Sequence, residues 1–204
     1  MRADVLKHLR RDKLLLPALH DFEVTSLKRV ENIALYLCLS IIGQQLSTRV
    51  AQIICDRFLE LLGSQEPSCE LISRIDKNEL RAIGLSQMKA NYIHNVCAYF
   101  IENKLDDQTV HALSDDELTG KLLEIKGVGK WTIQMLLMFA MAREDVFAPD
   151  DLGLRQAMTE LYGISALSNK ESRQRMLEIS QNWKPFRSYA CLALWSWKDK
   201  KKRT

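Results

Sequence analysis

Apolar residues recur every three or four positions along most of this chain, and no run alternates convincingly between apolar and polar. A period near 3.6 marks amphipathic helices, whereas a period of two would mark half-buried strands. Eight glycines and four prolines fall mostly between the periodic segments, where helix breakers belong. Start and stop signals predict a helix capped by Thr25 or Ser26 and running to about Gly43, and another from about Ser47 to Leu62, stopped by Gly63. A short helix is expected over Asp76 to Ile83, and a longer one capped by Ser86 and reaching Glu102. Ser114 with Glu117 three residues on reads as a capping box for a helix ending near Ile125. Lys130 to Met141, Asp151 to Tyr162, Ser168 to Asn182 and Ser188 to about Lys198 complete an all-α set.

The 204 residues suffice for one domain or two small lobes with a real core, and the 47% hydrophobic content is that of an ordinary globular chain. The net charge of +3 permits nucleic-acid binding without demanding it. Part of that excess is the run from Lys198 to Arg203, expected to be a solvated, frayed terminus. The five cysteines (Cys38, Cys55, Cys69, Cys97, Cys191) form no C-x-x-C pair and lie mostly in apolar helical stretches. They read as free thiols of a reducing compartment. Met1 to Lys13 is charged throughout, so no signal peptide is expected, and the longest apolar runs, 33–42 and 133–142, are too short for a bilayer.

The most informative stretch is Leu123-Glu124-Ile125-Lys126-Gly127-Val128-Gly129-Lys130-Trp131-Thr132. It reads as helix, two-glycine hairpin, helix. Glycines one residue apart let backbone N–H groups approach an anion with no Cβ in the way, and the helix opening near Lys130 aims its positive dipole end at the same place. On its own such a hairpin is equally a structural turn. About twenty residues further on, Pro149-Asp150-Asp151-Leu152-Gly153-Leu154-Arg155 places a carboxylate at a helix start. A phosphate grip followed by such an Asp points to chemistry on a nucleic acid. Either Asp serves as a cap; the two roles coexist if Asp150 caps the helix and Asp151 does the chemistry.

The hairpin resembles the helix-hairpin-helix DNA-binding motif, and with the Asp it resembles the DNA glycosylases built on that motif. The family's lyase branch carries a nucleophilic Lys in the second position after the last hairpin glycine. Trp131 stands there, and Lys130 is one residue early, about 100° around a helix axis. The iron–sulfur branch needs four closely spaced late cysteines, and only Cys191 is late. Trp131-Thr132 looks like the 3-methyladenine DNA glycosylase II branch. That resemblance extends to Ile41-Ile42-Gly43-Gln44-Gln45-Leu46-Ser47, to Gly84-Leu85-Ser86-x-x-Lys89-Ala90-x-Tyr92-Ile93, and to Trp183-Lys184-Pro185-Phe186-Arg187-Ser188-Tyr189-Ala190.

The resemblance implies a two-lobed all-α fold with an active-site cleft between the lobes. The central lobe spans roughly 30–130, and the second joins roughly 1–29 to 131–204. It implies a monofunctional enzyme that flips alkylated purines such as 3-methyladenine and 7-methylguanine out of duplex DNA and hydrolyses their N-glycosidic bond, initiating base excision repair. Asp151 would stabilise oxocarbenium-like charge and orient a water. Trp131, Trp195 and Met135 would line the base pocket; Met135 stands where the bacterial relative has Tyr. Indole faces attract a cationic base by about 0.5–2 kcal/mol per contact. Gly127, Val128, Gly129, Lys130 and Lys89 would contact DNA, and Gln45, or Leu46 beside it, would fill the void left by the flipped base. The carbonyls of Leu123, Ile125 and Val128 would hold a monovalent cation (Na+ or K+), with no other cofactor. The chain would act as a monomer, off the membrane, in a bacterial cytoplasm or a nucleus. The β-rich amino-terminal domain of the longer bacterial enzyme has no counterpart in the resemblance. Two alternatives stand beside this reading: a non-enzymatic DNA-binding module with Asp151 as a mere cap, and a bifunctional oxidised-base glycosylase.

Overall fold

The computed structural model describes residues 2–201, and every regular element among them is helical. The chain divides into two compact units: a central one, Arg29–Leu136, and a terminal one that joins the residues up to Lys28 with those from Leu137 onward. Two short helices, α1 (Ala3–Leu9) and α2 (Leu16–Leu19), open the terminal unit. The central unit contains α3 (Ile33–Gly43), α4 (Thr48–Leu62), α5 (Cys69–Arg74), α6 (Lys77–Ala82), α7 (Gln87–Glu102), α8 (Asp107–Ala112) and α9 (Asp115–Leu123). Helix α10 (Lys130–Phe139) belongs to it as far as Leu136. The terminal unit resumes with α11 (Leu152–Tyr162), α12 (Asn169–Ser180), a 3-10 turn at Gln181–Trp183, and α13 (Arg187–Lys201).

Most helix starts are set by short polar side chains that accept an otherwise unpaired first-turn N–H. Ser47, Ser68, Ser86, Asp106 and Ser168 each do so. Asp76 with Glu79, Ser114 with Glu117 and Ser168 with Glu171 close capping boxes. Gly63 and Gly163 end α4 and α11 in the left-handed conformation. The central core gathers Leu37, Ile41, Phe58, Ile72, Leu80, Ile93 and Leu118, all fully buried. The terminal core is built on Val5, Leu15, Met158, Trp183, Tyr189 and Leu194, likewise at zero exposure. Asp12 ties the start of the terminal unit to its end, accepting Tyr162 Oη–H at 2.6 Å and Trp183 Nε1–H at 2.9 Å.

Three sequence expectations need correction. The helix expected from Thr25 or Ser26 begins only at Ile33. Its cap is Asn32, held at φ 59° and accepting Leu35 N–H, while the Asp107 carboxylate takes the N–H groups of Asn32 and Ile33, both at 2.8 Å. Helices α1, α2, α5 and α8 have no counterpart in the sequence reading; at four to seven residues they are too short for periodicity to register and depend on packing. The basic end is not frayed as far as Lys201. Helix α13 carries it, and Lys198 (3.0 Å) and Lys201 both pair with Glu160. Arg203 lies outside the described residues.

Candidate functional site

Within the central unit, the hairpin is a tight turn backed by one face of α7. Helix α9 ends at Leu123, and Val128 N–H closes onto the Ile125 carbonyl at 3.0 Å. Gly127 sits at φ +111°, and a Cβ there would lie 2.2 Å from Tyr92 Cγ. Glycine is therefore required twice, by the backbone angle and by the tyrosine ring. Asn95 Nδ2 donates to the Lys126 carbonyl at 3.0 Å, and Tyr99 Oη–H to the Glu124 carboxylate at 3.1 Å. Tyr92, Asn95 and Tyr99 recur at three- and four-residue spacing, so one stripe of α7 supports the turn. Gly129 differs: nothing lies within 4 Å of a Cβ built there. Its carbonyl accepts Ile133 N–H at 3.1 Å, opening α10. Exposed Lys126 and Lys130 flank this open backbone, while the Val128 side chain is buried and its N–H is given to the Ile125 carbonyl.

The loop after α3 is fixed to the same unit. Lys89, expected on DNA, directs its ammonium to the carbonyls of Ile42 (2.8 Å) and Gln44 (2.6 Å). It thus satisfies the C-terminal end of α3, and burial holds its pKa below the ordinary lysine value. Gln44 Nε2 donates to Thr132 Oγ1 at 3.4 Å, linking the loop to the first turn of α10. Beyond these anchors the chain turns outward. Gln45 is exposed at φ 60°, a conformation an unbranched polar residue adopts only at some cost. Leu46 beside it is 37% exposed. Both candidate void-filling side chains therefore stand at the surface on a braced turn.

Trp131, the second residue of α10, is 40% exposed; Met135 follows one turn later, buried, and Phe139 two turns later, 38% exposed. Spacing i, i+4, i+8 puts the three on one helix face. Trp131 and Met135 are the residues expected in the base pocket; Phe139 is not among them, although the same spacing announces it.

Within the terminal unit, Asp151 is the N-cap of α11. Its Oδ1 accepts Leu154 N–H at 2.8 Å and Trp195 Nε1–H at 2.8 Å. Asp150, expected as the cap, is exposed and pairs with Arg173 Nε at 2.7 Å. The reversal is a matter of backbone. Asp151 has the extended φ −70°, ψ 128° of an N-cap, which turns its carboxylate back onto the first turn. Asp150 lies one residue outside. Gly153 is the second residue missed: a Cβ there would meet Trp195 Cδ1 at 3.0 Å and Asp151 Oδ1 at 3.2 Å. The Trp195 ring stacks on Phe139, centroids 5.8 Å apart at 29°. Cys191, on the same helix as Trp195, is fully buried, and burial pushes its thiol up to about 12, which disqualifies it as a nucleophile near neutrality.

The candidate elements are therefore an anchored carboxylate at a helix start in the terminal unit and an open glycine turn ahead of a helix in the central unit. A family model described as HhH-GPD superfamily base excision DNA repair protein matches residues 38–185. The chain belongs to this superfamily. The YfjP protein of Bacillus subtilis is 32% identical over 170 residues, covering 79% of this chain and 58% of its own length. DNA-3-methyladenine glycosylase 1 of Schizosaccharomyces pombe is 32% identical over 158 residues, covering 76% of this chain and 68% of its own. The solved structure of the fission yeast 3-methyladenine DNA glycosylase Mag1 in complex with abasic DNA superposes with a TM-score of 0.82 at 27% identity, covering 97% of both chains. No helix among the described residues is long and apolar enough to cross a membrane.

Proposed function

We propose that this chain is a monofunctional DNA glycosylase that releases alkylated purines from duplex DNA and leaves an abasic site. The observation that carries the reading is the Asp151 carboxylate, fixed at the start of α11 by Leu154 N–H and Trp195 Nε1–H, each at 2.8 Å. Cleaving an N-glycosidic bond builds positive charge on the sugar, and a preorganised anion stabilises that charge without reorganising. Asp151 also orients the attacking water. An alkylated purine is already cationic and departs without a strong general acid. An electron-rich indole face attracts such a cation, the role proposed for Trp195 and, separately, for Trp131. The Gly127–Lys130 turn binds backbone phosphate, and Gln45 or Leu46 enters the stack. Trp131 occupies the position a lyase gives to its nucleophilic Lys, so water is the nucleophile.

A monovalent cation on the carbonyls of Leu123, Ile125 and Val128 completes the proposed hairpin. These are neutral oxygen donors, the type a hard cation prefers, and bound there it would offset phosphate charge. The enzyme is assigned to the compartment that holds DNA and to action as a monomer.

The test is mass spectrometry of bases freed from methylated duplex DNA. Wild type is expected to release methylpurines, and Asp151→Asn to keep DNA affinity while losing release. Retained release in the variant overturns the catalytic assignment, and a borohydride-trapped covalent adduct overturns the monofunctional one.

A further inference from the structure

Helix α13 holds the Asp151 segment at two places. At its start, Ser188 Oγ accepts Val146 N–H at 3.0 Å and donates to the Arg143 carbonyl at 2.6 Å. Arg187 grips the Asp145 carboxylate at 2.7 and 3.1 Å. The loop leading to Asp151 is thereby clamped. Two helical turns further on, Trp195 Nε1–H reaches Asp151 Oδ1. The indole has little freedom there. Gly153 leaves room for its edge, since a Cβ would come within 3.1 Å of Nε1. Phe139 stacks against its face.

We propose that Trp195 is a positioning residue for Asp151, acting through its indole N–H, and not solely a wall for the damaged base. The inference rests on the glycosylase reading above. One donor from α11 and one from α13 meet on the same carboxylate oxygen, and together they fix the side-chain torsion. A hydrogen bond to an ionised acceptor is stronger than a neutral one and holds the anion in place while charge develops on the sugar. The two roles of Trp195 separate chemically. A wall requires the ring face, whereas positioning requires the N–H.

The experiment replaces Trp195 with benzothienylalanine, which keeps the ring shape and puts sulfur in place of N–H; Trp195→Phe is the encoded companion. Single-turnover release from a methylated duplex and DNA affinity are measured together. Release is expected to slow about 10- to 100-fold, the effect of losing one hydrogen bond to a charged group, with affinity within about twofold of wild type. Wild-type release by the benzothienyl variant overturns the proposal. A second readout is independent of catalysis: the indole N–H resonance of Trp195 in 15N-labelled protein. It is expected to shift more than the other three tryptophan resonances in Asp151→Asn, and an unmoved resonance overturns the contact. If wild type frees no methylpurine, the glycosylase reading falls and the positioning role with it, while the resonance still reports whether the pair exists.

Discussion

Gly127→Ala offers the sharpest test of the hairpin, because its cost can be worked from two separate terms. The first is conformational. At φ +111° an L side chain is strained, which costs about 1–3 kcal/mol. The second is steric. The new Cβ would lie 2.2 Å from Tyr92 Cγ and 2.6 Å from Tyr92 Cβ and Cδ2. Tyr92 cannot yield by a terminal torsion, because its own Cβ is among the clashing atoms. Overpacking of this kind costs about 1–3 kcal/mol. Gly127→Ala is therefore expected to lower the unfolding free energy by about 2–6 kcal/mol, measured by urea unfolding with linear extrapolation. Tyr92→Ala removes the steric term and leaves the conformational one. The double variant should thus recover about 1–3 kcal/mol relative to the sum of the single changes. Gly129→Ala is the internal control: no atom lies within 4 Å of its Cβ, so stability should stay within about 1 kcal/mol of wild type. A cycle additive to within about 0.5 kcal/mol, or a Gly127→Ala protein as stable as wild type, refutes the packing argument.

Two other outcomes follow from the terminal unit. Gly153→Ala puts a methyl 3.0 Å from Trp195 Cδ1 and 3.2 Å from Asp151 Oδ1; it is expected to slow base release at least tenfold with helical content retained, and wild-type release would refute the tight fit. The Arg2 guanidinium, hydrogen-bonded to Glu144, holds that carboxyl below its ordinary value of 4.5; a lowered native pKa contributes stability above that value and loses it as pH falls through the native one, so Glu144→Gln should flatten the acid limb of the Tm–pH curve, and an unchanged limb would refute the linkage.

The helical class and the capping boxes were legible because each is local: period, cap and stop all lie within one turn of each other. What stayed hidden was set by distant partners. Asn32 starts α3 because Asp107, seventy-five residues away, captures two backbone N–H groups beside it. Nothing near Thr25 or Ser26 announces that. Lys89 reads as a DNA-facing charge in sequence, yet its partners are carbonyls at the far side of α4 in chain order. Gly127 and Gly129 look alike in the motif, but one is required by Tyr92 and the other leaves open backbone. The spacing from the hairpin to the Asp150-Asp151 pair is legible in sequence, whereas which of the two caps α11 is not, because that depends on which residue takes the extended backbone just ahead of the first turn, here Asp151.

That exchange of roles bears on how the site works. Had Asp150 capped α11, Asp151 would have lacked the tie from Leu154 N–H. As the cap, Asp151 is bound to the helix it starts, and losing its carboxylate costs helix stability as well as chemistry. Asparagine is also a good cap, so Asp151→Asn removes the charge and keeps the start of α11. Alanine removes both. The difference in stability between these two variants measures the cap, about 0.5–2 kcal/mol. Their shared loss of base release measures the charge. If Asp151→Ala and Asp151→Asn unfold at the same urea concentration, the cap contributes nothing to the stability of α11, which refutes the capping argument.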